Sequence, residues 1–196
     1  MICAPSLPNI IRVMKKKNYK VFNDKRGYDL NIVGIRTNNN KSNTFNDWLV
    51  TFYTYQNQWS YFTFPITTDP GLYYRENPLN VDGTAIVVPN QYRNLWYIGK
   101  HNDYDALIQK SPIVVYRDNN LDDILNDVVK TEQGMFGINC HRASKDYKSK
   151  TVDKWSAGCQ VFQNPLHFKF FLTLCQFSKS IYGNSFSYTL LNEKDF

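Results

Sequence analysis

Trp48-Leu49-Val50-Thr51-Phe52-Tyr53-Thr54-Tyr55, then Gln56-Asn57-Gln58, then Trp59-Ser60-Tyr61-Phe62-Thr63-Phe64, is the stretch on which the fold class turns. Aromatic and β-branched residues fill both runs, and such side chains suit a pleated, half-buried surface better than a helix. The polar triplet between them reads as the connection of a β-hairpin. Outward from this hairpin, Tyr28 to Thr37 predicts a strand through Leu30, Ile32, Val33 and Ile35, ahead of a polar loop from Asn38 to Asn46. Further strands are expected at Thr84–Val88, Leu95–Ile98, Pro112–Tyr116, Met135–Cys140, Gln160–Phe162 and Phe186–Leu191.

Helical periodicity is confined to two places. Leu121, Ile124, Leu125 and Val128 recur at i, i+3, i+4 and i+7 behind Asp118, Asn119 and Asn120, predicting a short helix near 121–130. Asn164-Pro165 supplies a cap and a first-turn proline for a helix near 165–182 that stops at Gly183. The fold class is therefore mainly β with some helix (α+β). No repeat or linker divides the chain, so residues 28–196 are expected as one domain and 1–27 as a basic N-terminal arm.

The 196 residues carry 42% hydrophobic and 16% aromatic side chains, enough for a sizeable core. Net charge is +6, with Lys15-Lys16-Lys17, Lys20, Lys25 and Arg26 as the densest run. Such a balance attracts polyanions without choosing among them. No nucleic-acid-binding motif is present, so no nucleic-acid partner is expected. Four scattered cysteines argue against a disulfide scaffold. The first fourteen residues are broken by Pro5 and Pro8 and place their charge after the apolar stretch, unlike a secretory signal, and no run suits membrane insertion.

Chemistry concentrates in Gly137-Ile138-Asn139-Cys140-His141-Arg142 and, after fourteen intervening positions, in Ser156-Ala157-Gly158-Cys159-Gln160-Val161-Phe162. A thiol of pKa ~8.5 needs a base within reach to become a nucleophile at neutral pH. His141 and Cys159 supply that pair, and Gly158 gives the backbone freedom to turn amides toward an oxyanion. Cys140, alternating with His141, should face the core. Arg142 has the geometry to clamp a carboxylate or to make a structural ion pair. Ser156 could orient the histidine or form a turn, and His101, after a strand, could reach the cleft. His167 reads as structural. No metal-ligand spacing links His101, His141 and Cys159, and Asp118-x-Asn120-x-Asp122 lacks the remainder of a calcium loop, so neither metal nor cofactor is expected.

These motifs resemble the L,D-transpeptidase (YkuD-type) catalytic domain, in which a histidine is followed at similar distance by Ser/Thr-His-Gly-Cys. Ser156, Gly158 and Cys159 match. Upstream, Phe64-Pro65-Ile66 followed by Thr68, Pro70 and Gly71 resembles the family's Thr/Pro/Gly segment after a hairpin. The family's second histidine is Ala157 here, and its arginine after the cysteine is Val161. The resemblance implies a β-sandwich in which Cys159 and His141 are catalytic, Gly158 and Ser156 serve the oxyanion and its support, and Arg142, His101 and Gln160 contact substrate. It implies cysteine-dependent acyl transfer on peptidoglycan stem peptides, by hydrolysis or transpeptidation. The tetrad followed by Gln160 looks like a bacteriophage-encoded branch, made in the host cytoplasm without a signal peptide and acting at the wall after release or from the virion. The rival is a non-catalytic structural or glycan-binding phage protein on the same fold.

Overall fold

The computed structural model describes residues 4–39, 43–121 and 130–196. In chain order its elements are α1 (Leu7–Lys16), β1 (Asn31–Arg36), β2 (Asp47–Tyr55), β3 (Gln58–Thr67), α2 (Leu72–Glu76), β4 (Thr84–Val87), β5 (Gln91–His101) and β6 (Tyr104–Gln109). They continue with β7 (Ile113–Asp118), β8 (Lys130–Gly134), β9 (Cys140–Arg142), β10 (Gln160–Phe162), α3 (Pro165–Tyr182) and β11 (Phe186–Asn192). Eight strands close a barrel in the order β1-β11-β5-β6-β9-β10-β3-β2, and β4-β7-β8 form a separate three-stranded sheet. The chain is mainly β, as expected, but its main sheet closes on itself instead of splitting into the two layers of a sandwich. Closure leaves no free edge on these eight strands.

The hairpin of β2 and β3 is the longest antiparallel ladder, from Asp47↔Ile66 to Tyr55↔Gln58. Its turn is two residues, not three: Gln56 and Asn57 both take left-handed φ (49° and 62°), and Gln58 already belongs to the strand. That is the twist-matched geometry for a tight hairpin.

Alternation sorts the strands into an inner and an outer face. Ile32 of β1 and Leu49 of β2 join the inner core with Trp96, Phe162, Tyr188 and Leu190. Val33, Ile35, Val50 and Phe52 face outward, where they pack against Ile10, Val13 and Met14. Those three lie at i, i+3 and i+4 of α1, so the segment expected as a basic N-terminal arm is in part a helix covering the barrel wall. Pro8 stands in its first turn, where a missing N–H costs nothing, and Lys15 and Lys16 end it.

The C-terminal helix is where the sequence places it. Asn164 caps α3 by accepting from Leu166 N–H, and Phe168, Phe171, Leu174 and Cys175 are buried with the inner core. Phe171 stacks on Phe162 at 5.1 Å. The helix expected near 121–130 falls on residues 122–129, outside the described residues. Met135 to Asn139 is not a strand: Gln109 Oε1 accepts from both Phe136 N–H (3.1 Å) and Ile138 N–H (2.8 Å), taking the place of a neighbouring strand. Asp118, read as a possible helix cap, ends β7 in a buried ion pair with Arg75 at 2.7 Å. Among the described residues no helix is long and apolar enough to cross a membrane.

Candidate active site

Two three-residue strands make the site. β9 and β10 run parallel, with Cys140 opposite Gln160, His141 opposite Val161 and Arg142 opposite Phe162. The pairing extends one residue toward the N-terminus, because Gln160 N–H donates to Asn139 O at 2.9 Å and Asn139 N–H donates to Cys159 Sγ at 3.4 Å. Successive side chains alternate faces, so Asn139, His141 and Cys159 fall on one side and Cys140 and Gln160 on the other. Cys140 is fully buried in the core, as its alternation with His141 predicts.

The loop that carries the thiol is fixed from several sides. Ser156 Oγ accepts from Gly158 N–H (3.1 Å) and donates to Cys159 O (2.9 Å), closing a turn around the thiol residue. Ser156 O in turn accepts from Gly71 N–H at 2.9 Å, so the Thr67–Gly71 turn buttresses the loop. Asn43 Nδ2 holds Asp153 Oδ1 at 2.7 Å in the 3-10 turn just before it. Gly158 has φ +123°, and a Cβ there would lie 2.5 Å from Ala85 O of β4. Only glycine fits that backbone so close to another strand.

Two sequence expectations change here, at Gly158 and Gln160. Gly158 supports the site by conformation, but its N–H is spent on Ser156 and is not free for an oxyanion. Ser156 is buried and, of the two roles open to it, takes the turn-forming one. Gln160 is not a substrate contact: it points into the barrel, where Tyr188 Oη donates to Gln160 Oε1 (2.6 Å) and Gln160 Nε2 donates to Gly158 O (3.2 Å). Tyr188 reaches it because position 34 is glycine, whose Cβ would stand 2.0 Å from that hydroxyl. An interior chain from Tyr188 through Gln160 thus supports the thiol loop from behind.

His141, Arg142 and His101 do gather with Cys159, along a cleft of about 670 Å³ that Tyr104 and Lys154 also line. Cys159 is half-buried and, with Ala157, stands between this cleft and a second one of about 370 Å³. His141 Nδ1 lies 2.8 Å from Arg142 O. A carbonyl only accepts, so Nδ1 carries the proton and Nε2 is left as the basic nitrogen of the neutral ring. Burial pushes the His141 pKa down to about 4, helped by His101 and Arg142 and opposed by its bond to Arg142 O. Burial pushes the Cys159 thiol up to about 11, against the pull of Asn139 N–H. The resting pair is neutral, and the thiol's hydrogen-bond partners among the described residues are backbone groups, Asn139 N–H and Gly137 O (each 3.4 Å).

Arg142 sits over the Tyr104 ring, with Cζ 3.9 Å from the ring centroid, and no acidic side chain pairs with it among the described residues. His101, the last residue of β5, stacks on His141 with centroids 4.3 Å apart and 19° between planes. His167 is apart from the site, in α3 against Phe64. No group of three His, Cys, Asp or Glu side chains among the described residues could hold a metal ion. The sequence reading gives Asn139 and Tyr104 no role, although Asn139 stands two residues before His141 and period-two alternation puts it on the same face. Compared with protein-family models, with curated proteins and with solved structures, the chain gives no match.

Proposed function

We propose that the protein is a cysteine acyl-transfer enzyme acting on the stem peptides of peptidoglycan, with an L,D-transpeptidase-like site. One observation carries this reading: the parallel register of β9 and β10 sets the Cys159 thiol and the His141 imidazole on one face and along one cleft, with Nε2 of His141 unclaimed among the described residues. In the reaction, His141 Nε2 takes the thiol proton as Sγ attacks the peptide carbonyl carbon. The C–N bond breaks, the amine leaves with the proton returned by His141, and a thioester remains on Cys159. Water completes hydrolysis; a second amine completes transpeptidation.

The oxyanion needs an N–H aimed at it, and the Cys159 amide is the candidate, since Ser156 holds that of Gly158. One such donor is worth roughly 3 kcal/mol in other acyl transfers. Arg142, over the Tyr104 ring without an acidic partner among the described residues, fits a substrate carboxylate and takes over the role that Val161 cannot fill. A bacteriophage origin, with synthesis in the host cytoplasm and action at the wall, completes the proposal.

The rival reading, a non-catalytic glycan-binding or virion protein, draws on the thiol raised to about 11 and on its lack of a hydrogen bond to His141. Mass spectrometry of muropeptides separates the two. Wild-type protein incubated with sacculi should release or exchange stem peptides, and Cys159→Ala should abolish this while keeping the fold. Identical products from wild type and Cys159→Ala would remove the proposed mechanism.

A further inference from the structure

The side chain of Asn139 is held at both ends. Its Oδ1 accepts from Gln109 N–H at 2.9 Å, which leaves the NH2 group to face His101 Nδ1 at 3.5 Å. An amide NH2 only donates, so His101 Nδ1 is the acceptor and the neutral His101 ring carries its proton on Nε2. The contact is long, but its direction is set by the stronger bond on the other side of the amide.

His101 is placed by the β5–β6 hairpin. It pairs with Tyr104 across a turn in which Asn102 takes φ 56°, and its ring meets the Tyr104 ring edge-on at 5.6 Å. On its other side it stacks nearly parallel on His141. His141 is therefore constrained twice: Arg142 O fixes its Nδ1, and the His101 face fixes the plane of its ring. The ionisable groups that line the cleft with the two imidazoles are Arg142 on β9, Tyr104 on β6, Asp103 in the hairpin turn, Lys145, Asp146 and Tyr147 after β9, Lys154, Tyr74 and the Cys159 thiol. Burial first, and the Arg142 charge after it, lower both pKa values, so a proton on either ring is disfavoured at rest.

We propose that His101, oriented by Asn139, is a positioning residue that holds the His141 ring in the plane where Arg142 O fixes its tautomer and Nε2 can take the Cys159 proton. Asn139 thereby touches both halves of the pair, the thiol through its N–H and the base through His101. The inference rests on the nucleophile-and-base reading proposed above, yet it concerns the His141 ring itself and can be read without substrate.

The chain has three histidines, so its imidazole nitrogens resolve by NMR of histidine-labelled protein, with His167→Gln giving the remaining assignment. In wild type, His141 should show one tautomer, protonated on Nδ1. In His101→Ala it should show mixed tautomers and a pKa moved up toward the ordinary histidine value, whereas His101→Phe, which keeps a ring to stack on but gives the Asn139 NH2 no acceptor, should match Asn139→Ala, with a smaller change of the same sign in both. The acylation rate of Cys159 by a carbapenem at pH 7 should fall about tenfold in His101→Ala and by a smaller, equal factor in Asn139→Ala and His101→Phe. Unchanged His141 nitrogen shifts in folded His101→Ala would overturn the positioning role, whatever the acylation rate. Absence of acylation in wild type, with the NMR pattern as described, would instead overturn the nucleophile reading and leave the positioning role upheld.

Discussion

Cys159 and His141 face one cleft as two uncharged groups, and that state has a kinetic signature. A thiolate, not a thiol, reacts with an alkylating agent. With burial holding the thiol near 11 and His141 near 4, no ion pair is preformed, and deprotonation has to accompany attack. The rate at which iodoacetamide modifies Cys159, followed by peptide mapping, should climb about tenfold per pH unit from pH 7 to 10, without a plateau. A plateau beginning near pH 5 to 6 would show a thiolate–imidazolium pair instead. The other two thiols of the described core, Cys140 and Cys175, are buried, and burial raises them well above the ordinary thiol range, so they should stay unmodified in folded protein.

Among the elements, α1 departs most from its sequence reading. Its lysine run dominates the composition of the N-terminus, and Pro5 and Pro8 look like breakers, so the triad Ile10, Val13 and Met14 was obscured. What made the outer face of β1 and β2 apolar was also uninterpreted: Val33, Ile35, Val50 and Phe52 demanded a cover, and α1 is that cover. Ile10→Ala should then cost about 3 kcal/mol in denaturant unfolding, the usual range for emptying a packed aliphatic site. A solvated arm would show a change near zero. By contrast α3, β2 and β3 were legible because each carries its own local signal: a cap with a first-turn proline, and long aromatic runs around a two-residue turn. β6 gave no such signal, since Tyr104 to Gln109 has only three consecutive apolar residues and is fixed by its ladder with β5.

At the scale of the molecule, closure of the barrel turns local motifs into a site. His141 and Cys159 were legible from residue type and spacing, and Cys140 from alternation. The inward turn of Gln160 was not, because it depends on β10 lying beside β9 and on Gly34 admitting Tyr188 from across the interior. The same burial sets opposing pH dependences. His141 has a lowered pKa, so the unfolded chain binds its proton first and stability is lost as pH falls from about 6.5 to about 4. Asp47 is pushed up to about 7 by burial and by Asp69, against bonds from Thr37 and Thr68, so its contribution is present at low pH and lost as pH rises from about 4 to about 7. Removing one leaves the other uncovered. Relative to wild type, Asp47→Asn should make stability rise more steeply with pH across pH 4 to 7, by about 1.4 kcal/mol per unit, and His141→Gln should make it rise less steeply across pH 4 to 6.5. Denaturant unfolding at a series of pH values reads both slopes, and parallel curves for all three proteins would contradict the assignment.

The central claim is that Cys159 takes an acyl group from a peptide carbonyl with His141 as its base. Its most direct measurement is the mass of the Cys159 peptide after a brief incubation with a carbapenem, whose strained carbonyl acylates a competent thiolate and leaves slowly. A mass increase of one carbapenem on Cys159, strongly reduced in His141→Gln, is the predicted result. Unmodified Cys159 in wild-type protein that still alters sacculi would contradict it.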